Sequence, residues 1–268
     1  MRIGNKEFSD NRTYVMGILN VTPDSFSDGG RFVTMDKVLE HADKMVQEGA
    51  DIIDVGGEST RPGYTMISDK EEISRVVPAI EAIKSRLNVP ISIDTYKSAV
   101  AEAAICAGAD MVNDIWGLQY DSKMARTIKQ YDVSVAITHN KNKPQYDDFK
   151  TDCVSEIKKL CDKAVEQGIS KDKIILDPGI GFAKSVEQNL EVMKYLDEFV
   201  KIGYPVLLGA SRKSFIGNTL GLKVDERLEG TMATTALAVQ NNVRIVRVHD
   251  VKENVRIIKM LEAIREVN

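Results

Sequence analysis

The chain has 268 residues and a formal net charge of −4, with 43% hydrophobic and 28% charged residues. That composition excludes wholesale disorder, and the absence of a basic excess, with aromatics at 6%, argues against a nucleic-acid partner. No apolar run approaches the roughly 20 residues of a membrane span, and the polar stretch Met1 to Arg12 does not read as a signal peptide, so a cytoplasmic protein without a membrane partner is expected. Cys106, Cys153 and Cys161 form no CxxC pair; buried free thiols in a reducing compartment are the expectation.

Strand and helix signals alternate from end to end. Tyr14 to Leu19 is a short apolar run, and Val38, Leu39, Ala42, Met45 and Val46 then recur at helical spacing until Gly49. Ile52 to Val55 predicts a strand, and Ile73, Val76, Ile80, Ile83 and Leu87 a helix. Ile91 to Ile93 predicts a strand, Ala99 to Cys106 a helix, Met111–Val112 a strand and Met124 to Ile128 a helix. Val133 to Ile137 (strand) precedes the stripe Val154, Ile157, Cys161, Ala164 and Val165 (helix). Ile174 to Leu176 and Leu190 to Val200, Pro205 to Leu208 and Thr231 to Val239, and Val243 to Val248 and Val251 to Ile264 complete the alternation. The strands are continuously apolar, as in a parallel sheet buried on both faces. About eight such units in this length predict a single-domain (β/α)8 TIM barrel spanning residues 1–268; a doubly wound open sheet is the alternative.

Barrel enzymes carry their chemistry at the C-terminal ends of the strands. Those ends read Asn20, Asp54, Asp94, Asn113, His139, Asp177, Ser211, Arg247 and His249. Each taken singly also suits a helix N-cap or a turn, and Asp54 and His139 are as well explained that way. Together they form a polar ring. Asp94, Asn113 and Asp177 make an acceptor-rich edge suited to a heterocycle with clustered N–H donors. Arg247 and His249 flank Val248, so in a strand they share a side and suit an anion near Asn20. Lys213, in Ser211 to Ser214, is able to reach the same space; the competing reading of that run is a surface charge cluster. His41 reads as structural or exposed.

Two loops, Val21 to Gly30 and Gly56 to Tyr64, exceed the usual βα loop length and read as binding loops or lids, mobile until ligands bind. No dinucleotide fingerprint, P-loop, HExxH or GxSxG motif is present.

Gly17 to Gly30, Asp54 to Gly63, Ser92 to Lys97, Asn113 to Gly117, Asp177 to Phe182, Ser211 to Gly217 and Arg247 to Asp250 resemble the dihydropteroate synthase family, in family order across nearly the whole chain. The resemblance implies condensation of 7,8-dihydropterin-6-ylmethyl diphosphate with 4-aminobenzoate to 7,8-dihydropteroate and diphosphate. It implies that Asp94, Asn113, Asp177, Lys213 and Arg247 bind the pterin. Asn20, Arg61, Arg247 and His249 would hold the diphosphate, with Mg²⁺ at Asn20 as cofactor. Thr60, Arg61, Pro62, Phe182, Ser211 and Lys213 would shape the aminobenzoate site. A homodimer through terminal helices is implied as well. Thr138 and Ala183 depart from residues frequent in the family, Ala183 close to the expected aminobenzoate pocket.

The implied chemistry is loss of diphosphate from a CH₂ on an electron-rich ring, along a dissociative path. Arg247, His249 and Mg²⁺ would neutralise the leaving group, and Asp28 would face the cation; with Lys213 these are the candidate catalytic residues. A pterin-binding methyltransferase barrel and a non-catalytic pterin-binding barrel are the alternatives. The first does not require Lys213, the Ser59 to Gly63 loop or the anion pair, and the second predicts losses at Asp28, Arg61 or Lys213.

Overall fold

The structure, a computed structural model, describes residues 1–22, 35–58 and 66–267. Asp28, Thr60, Arg61 and Pro62, and the greater part of both long loops, lie outside the described residues.

The chain opens with a hairpin of β1 (Arg2–Ile3) and β2 (Lys6–Glu7). Eight strand–helix units follow. They are β3 (Tyr14–Asn20) with α1 (Met35–Glu48), β4 (Ile52–Gly56) with α2 (Asp69–Arg86), and β5 (Ile91–Asp94) with α3 (Ser98–Cys106). Next come β6 (Met111–Asp114) with α4 (Met124–Tyr131) and β7 (Ser134–Thr138) with α5 (Phe149–Glu166). β8 (Ile174–Asp177) leads into α6 (Val186–Lys194) and α7 (Leu196–Val200), and β9 (Leu207–Leu208) into α8 (Ser214–Leu220) and α9 (Leu228–Gln240). β10 (Ile245–Val248) and α10 (Val251–Arg265) end the fold.

The eight strands β3 to β10 pair in parallel in the order β8-β7-β6-β5-β4-β3-β10-β9. A bridge between Leu176 and Val206, with Leu176 N donating to the Pro205 carbonyl at 2.8 Å, joins the two outer strands. The sheet is a closed (β/α)8 barrel, as the alternation of apolar runs predicts. Strand residues divide by parity. Val15, Leu19, Ile53, Val55, Ile91, Ile93, Val112, Val135, Ile137 and Leu176 pack outward with helix residues such as Val38, Ile80 and Ile157. Met16, Ile52, Met111, Ala136, Ile175, Leu207 and Ile245 pack inside the barrel.

Local sequence supports the helix starts. Ser68 accepts from Glu71 N to cap α2, Asp148 accepts from Thr151 N to cap α5, and Ser185 with Gln188 forms a capping box on α6. Three details differ from expectation. The helix expected over Leu190 to Val200 is two helices, because Tyr195 leaves the helical conformation. The Ser211 to Ser214 run leads directly into an additional helix, α8. Cys153 and Cys161 are buried, but Cys106 is exposed: it falls at the outer C-terminal end of α3, where its thiol meets the Tyr131 hydroxyl.

The N-terminal hairpin plugs the bottom of the barrel. Ile3 and Phe8 join the interior cluster, Phe8 meets Tyr14 edge-on with ring centroids 4.7 Å apart, and Ser134 Oγ donates to the Arg2 carbonyl. Replacing Phe8 with Ala should destabilise the fold by about 3 kcal/mol in denaturant titration while leaving turnover of the folded enzyme unchanged, because the polar ring lies at the opposite end.

Candidate active site

The inward parity changes character halfway up the barrel. Above Ile52 the next inward residue of β4 is Asp54; above Met111 on β6 it is Asn113; above Ile175 on β8 it is Asp177; above Ile245 on β10 it is Arg247. Asp94 completes the set from β5, in register with Asn113. A period of two, continued for one more step, therefore delivers five polar side chains to one space.

Arg247 organises that space. Its Nε donates to Asp54 Oδ2 at 2.5 Å and its Nη2 to Asp94 Oδ2 at 2.6 Å. Asn113 Nδ2 donates to the same Asp54 oxygen at 3.2 Å. Asp54 is fully buried and Asp94 nearly so. Burial pushes the Asp94 carboxyl up to about 7 against the pull of Arg247. Burial opposes charge on Arg247, but Asp54 and Asp94 hold its pKa above the ordinary arginine value. Asp54 Oδ1, Asp94 Oδ1, Asn113 Oδ1, Ser92 Oγ and Thr138 Oγ1 are buried with no hydrogen-bond partner among the described residues. Such a concentration of unmatched oxygens is costly in a folded protein and suits a ligand presenting several N–H groups.

The β8 and β9 ends build the adjoining wall. Asp177 Oδ1 accepts from Gly179 N at 2.8 Å, and burial raises the Asp177 pKa, with Lys213 opposing. Burial lowers Lys213 to about 8. Its ammonium donates to the Ile180 carbonyl and lies 4.6 Å from the centre of the Phe182 ring. Lys213 is thus half-buried and turned into the site, against the reading of a surface charge cluster. Arg212, beside it, belongs to the scaffold, in a two-pronged pair with Asp250 at 2.9 and 2.5 Å. At the rim His249 Nδ1 and Ser211 Oγ lie 3.0 Å apart, and Ser211 Oγ accepts from His249 N.

From sequence alone Asp54 reads equally as a turn residue or a site residue; the structure makes it the inner partner of Arg247. His139 goes the other way. Its ring faces α5, with Nε2 2.8 Å from Glu156 Oε2, outside the ring that Arg247 organises. Ser92 and Thr138 went unrecognised, although their place in the inward parity was a usable signal. Lys97 is a further buried cation, locked by Glu58 Oε2 at 2.5 Å and Glu72 Oε2 at 2.7 Å. Tyr96 donates to the other Glu58 oxygen and Ile67 N to Glu58 Oε2, which braces the described residues flanking the second loop.

No group of three or more His, Cys, Asp or Glu with metal-binding geometry exists among the described residues. Asn20, at the end of β3, presents its amide oxygen beside Gly56 and Asp94, where a Cβ on Gly56 would lie 3.4 Å from Asn20 Oδ1. One neutral oxygen is a poor Mg²⁺ site alone. It fits the habit of Mg²⁺ of taking one or two protein oxygens and completing its shell with water and substrate phosphate.

Fold and site together define a barrel enzyme whose floor accepts N–H groups, with Arg247 lying on that floor, Lys213 on the adjoining wall and His249 at the rim. Comparison with known proteins agrees. The family described as pterin binding enzyme matches residues 16–249. A dihydropteroate synthase of Clostridium beijerinckii is 53% identical over 266 residues, 98% of this chain and 99% of that relative. The crystal structure of a dihydropteroate synthase from Clostridium difficile in the presence of pteroic acid superposes with a TM-score of 0.92 at 51% identity, covering 98% of this chain and all of that one. A Xanthomonas albilineans dihydropteroate synthase structure with 4-aminobenzoic acid gives 0.93 at 38% identity, covering 97% and 95%. The chain belongs to the pterin-binding enzyme family, among its dihydropteroate synthases, and is therefore a transferase.

The raised Asp94 pKa has a consequence for the ligand-free protein. A carboxyl whose folded pKa lies above its unfolded value stabilises the fold below the unfolded value and loses that contribution as pH rises through the folded one. Wild type should therefore lose stability relative to Asp94→Asn as pH climbs from about 4 to about 7. Denaturant titrations of the two proteins across that interval check it; a constant difference would place Asp94 in a solvated setting.

Proposed function

We propose that this chain joins 7,8-dihydropterin-6-ylmethyl diphosphate to 4-aminobenzoate, releasing diphosphate, at the Arg247 end of the barrel. The observation that carries the reading is the set of buried, unpartnered oxygens on Asp54, Asp94, Asn113, Ser92 and Thr138 around the Arg247 guanidinium. A guanidinium and the amino-pyrimidinone edge of a pterin present similar planar N–H groups, so what accepts one accepts the other.

The reaction then follows from charge. The pterin edge replaces Arg247 on Asp94 and Asp54, with Asp177 as a further acceptor. Arg247 turns to the diphosphate, where it meets His249 and Asn20 at the rim. As the C–O bond to diphosphate breaks, negative charge grows on the leaving group, and these donors stabilise it. Mg²⁺ bound through Asn20 and the diphosphate would supply further charge neutralisation. The electron-rich ring stabilises the cation left behind, so a dissociative path needs no strong protein base: the neutral aryl amine attacks the CH₂, and its surplus proton passes to the released diphosphate or to solvent. Lys213 and Phe182, with Ser211, form the described wall of the aminobenzoate site; Thr60, Arg61 and Pro62 would complete it, Arg61 would also reach the diphosphate, and Asp28 would face the cation.

Exposed Met260 and Ile264 lie one helical turn apart on α10 and support a homodimer through the terminal helices. Three free cysteines suit a reducing cytoplasm. No helix among the described residues is long and apolar enough to cross a membrane.

Diphosphate release measured with and without 4-aminobenzoate tests the reading: release should depend on both substrates. Asp177→Asn should weaken pterin binding by about 1.5–3 kcal/mol, roughly 10- to 150-fold, in calorimetry; unchanged affinity in the folded variant would remove Asp177 from the site. Because Arg247 must leave the acids before the pterin binds them, inorganic diphosphate should raise pterin affinity by offering the guanidinium another partner. Arg247→Ala should lose that coupling and most turnover, with His249→Ala milder. Pterin affinity indifferent to diphosphate in the wild type would place the leaving-group site elsewhere.

A further inference from the structure

We infer that Lys184, outside every segment that carries the family resemblance, is a positioning residue for the aminobenzoate site: its ammonium ties the loop that holds Lys213 and Phe182 to the end of β7.

The geometry of the loop after β8 carries the argument. Lys184 Nζ donates to the Gly179 carbonyl at 3.0 Å, the Phe182 carbonyl at 3.1 Å and the His139 carbonyl at 3.3 Å. It also lies 2.9 Å from His139 Nδ1. The backbone is folded around it. Gly179, Gly181 and Ala183 have φ of +74°, +81° and +47°, alternating with residues of ordinary φ, and two of the loop carbonyls converge on the one ammonium. At Gly179 a Cβ would lie 2.0 Å from the His139 carbonyl oxygen, so only glycine lets the two segments approach this closely. Ala183 keeps a left-handed conformation that is unfavourable for a non-glycine residue, and its carbonyl accepts from the Tyr146 hydroxyl at 3.0 Å.

The charges around the ammonium are consistent with a cation seated in acceptors. On the β7 side His139 is buried, and burial together with the neighbouring Lys184 lowers its pKa to about 4. The ring is then neutral. Nδ1 accepts from Lys184, so Nε2 carries the hydrogen and donates to Glu156. Glu156 is held in turn by Lys141 at 2.7 Å. Cys153 from α5, Asp177 from β8 and Lys141 also face the ammonium. Burial lowers Lys184 to about 8.

The consequence reaches the site through the segment that runs from the tied Gly179 carbonyl to the tied Phe182 carbonyl. Ile180 gives its carbonyl to Lys213, and Phe182 gives its ring face to the same ammonium. Gly181, between them, packs against the Lys213 side chain, where its Cβ would meet Lys213 Cδ at 3.1 Å. Asn189 Oδ1 fixes Gly181 N from α6 at 2.6 Å. Lys184 therefore sets the shape of the Lys213 cradle without reaching into it. The Asp177 backbone is held by the β-ladder, since the Asp177 carbonyl accepts from His139 N and β8 pairs with β7, while its side chain accepts from Gly179 N on the tied loop. Loss of Lys184 should loosen the aminobenzoate wall more than the pterin floor, because Asp54, Asp94 and Asn113 stand on β4, β5 and β6, away from the tied loop.

The inference rests on the functional reading above, and steady-state kinetics separate the two. With the wild-type enzyme and Lys184→Met, which keeps the apolar stem and removes the donors, KM for 4-aminobenzoate should rise roughly tenfold or more, as for a lost charge-assisted hydrogen-bond set. KM for the pterin diphosphate should rise clearly less than KM for 4-aminobenzoate. Lys184→Gln, which keeps two N–H donors, should recover part of the loss; it carries the same comparison if Lys184→Met melts below the assay temperature. A parallel rise in both KM values, or no change in either, overturns the inference. A wild-type protein that does not turn over the pair overturns the functional reading, and the inference with it.

Discussion

The structure turns on a guanidinium placed between two carboxylates inside a barrel. Burying Arg247 with Asp54 and Asp94 removes three charges from water, and the attraction within such a cluster does little more than offset that desolvation. Hydrophobic residues of similar volume would make the barrel at least as stable. The cluster is better understood as a binding site at rest, in which Arg247 satisfies the acids with the same kind of N–H edge that a ligand would bring. The oxygens that it does not reach, on Asn113, Ser92 and Thr138 and one on each acid, mark how much more a larger planar donor would satisfy.

A site this costly requires stability from elsewhere, and the barrel provides it by dividing its interior. The lower layers are mainly apolar and closed from below by Ile3 and Phe8, while the helices bury a continuous second shell outside the strands. The polar layer is then confined to the C-terminal strand ends, where backbone pairing already fixes the positions of Asp54, Asp94, Asn113 and Asp177. Side chains on paired strands lose little freedom when a ligand arrives, which is what precise recognition requires. Residues on the long loops lack that support, and the tasks assigned to them belong to closure and to the second substrate.

The fold was legible because a parallel barrel writes itself plainly: apolar runs of strand length, each followed by a helical stripe, each strand ending in a polar residue. Asp94, Asn113 and Asp177 were legible as a group for the same reason. Asp54 was not, because an aspartate before Gly56–Gly57 is equally a turn residue, and its partner Arg247 is 193 positions away. Lys184 left no trace, since its partners are mainly backbone carbonyls and those have no letter in a sequence. The exposure of Cys106 depended on which side of α3 met solvent, and a helix with small residues on most faces gives little periodicity to decide that. The break at Tyr195 likewise left the apolar pattern of Leu190 to Val200 intact.

Lys97, Lys184, Arg247 and Lys213 are buried or half-buried cations at this end of the barrel, and their partners separate their roles. Lys97 is held by two carboxylates, Glu58 and Glu72, whose hydrogen bonds keep its pKa up despite burial; a cation so neutralised is committed to structure. Lys184 is held chiefly by neutral acceptors that belong to one loop and one strand end, so it fastens backbone. Arg247 and Lys213 have partners of a different kind. Arg247 rests on carboxylates with a second oxygen still unmet, and Lys213 rests on a single carbonyl, an aromatic face and the nearby Asp177. Each can exchange those contacts for a substrate anion or amine without leaving an unpaired charge in the interior, because the substrate brings the replacement. Exchangeability of partners, more than the presence of charge, is what distinguishes the chemically active cations here from the structural ones.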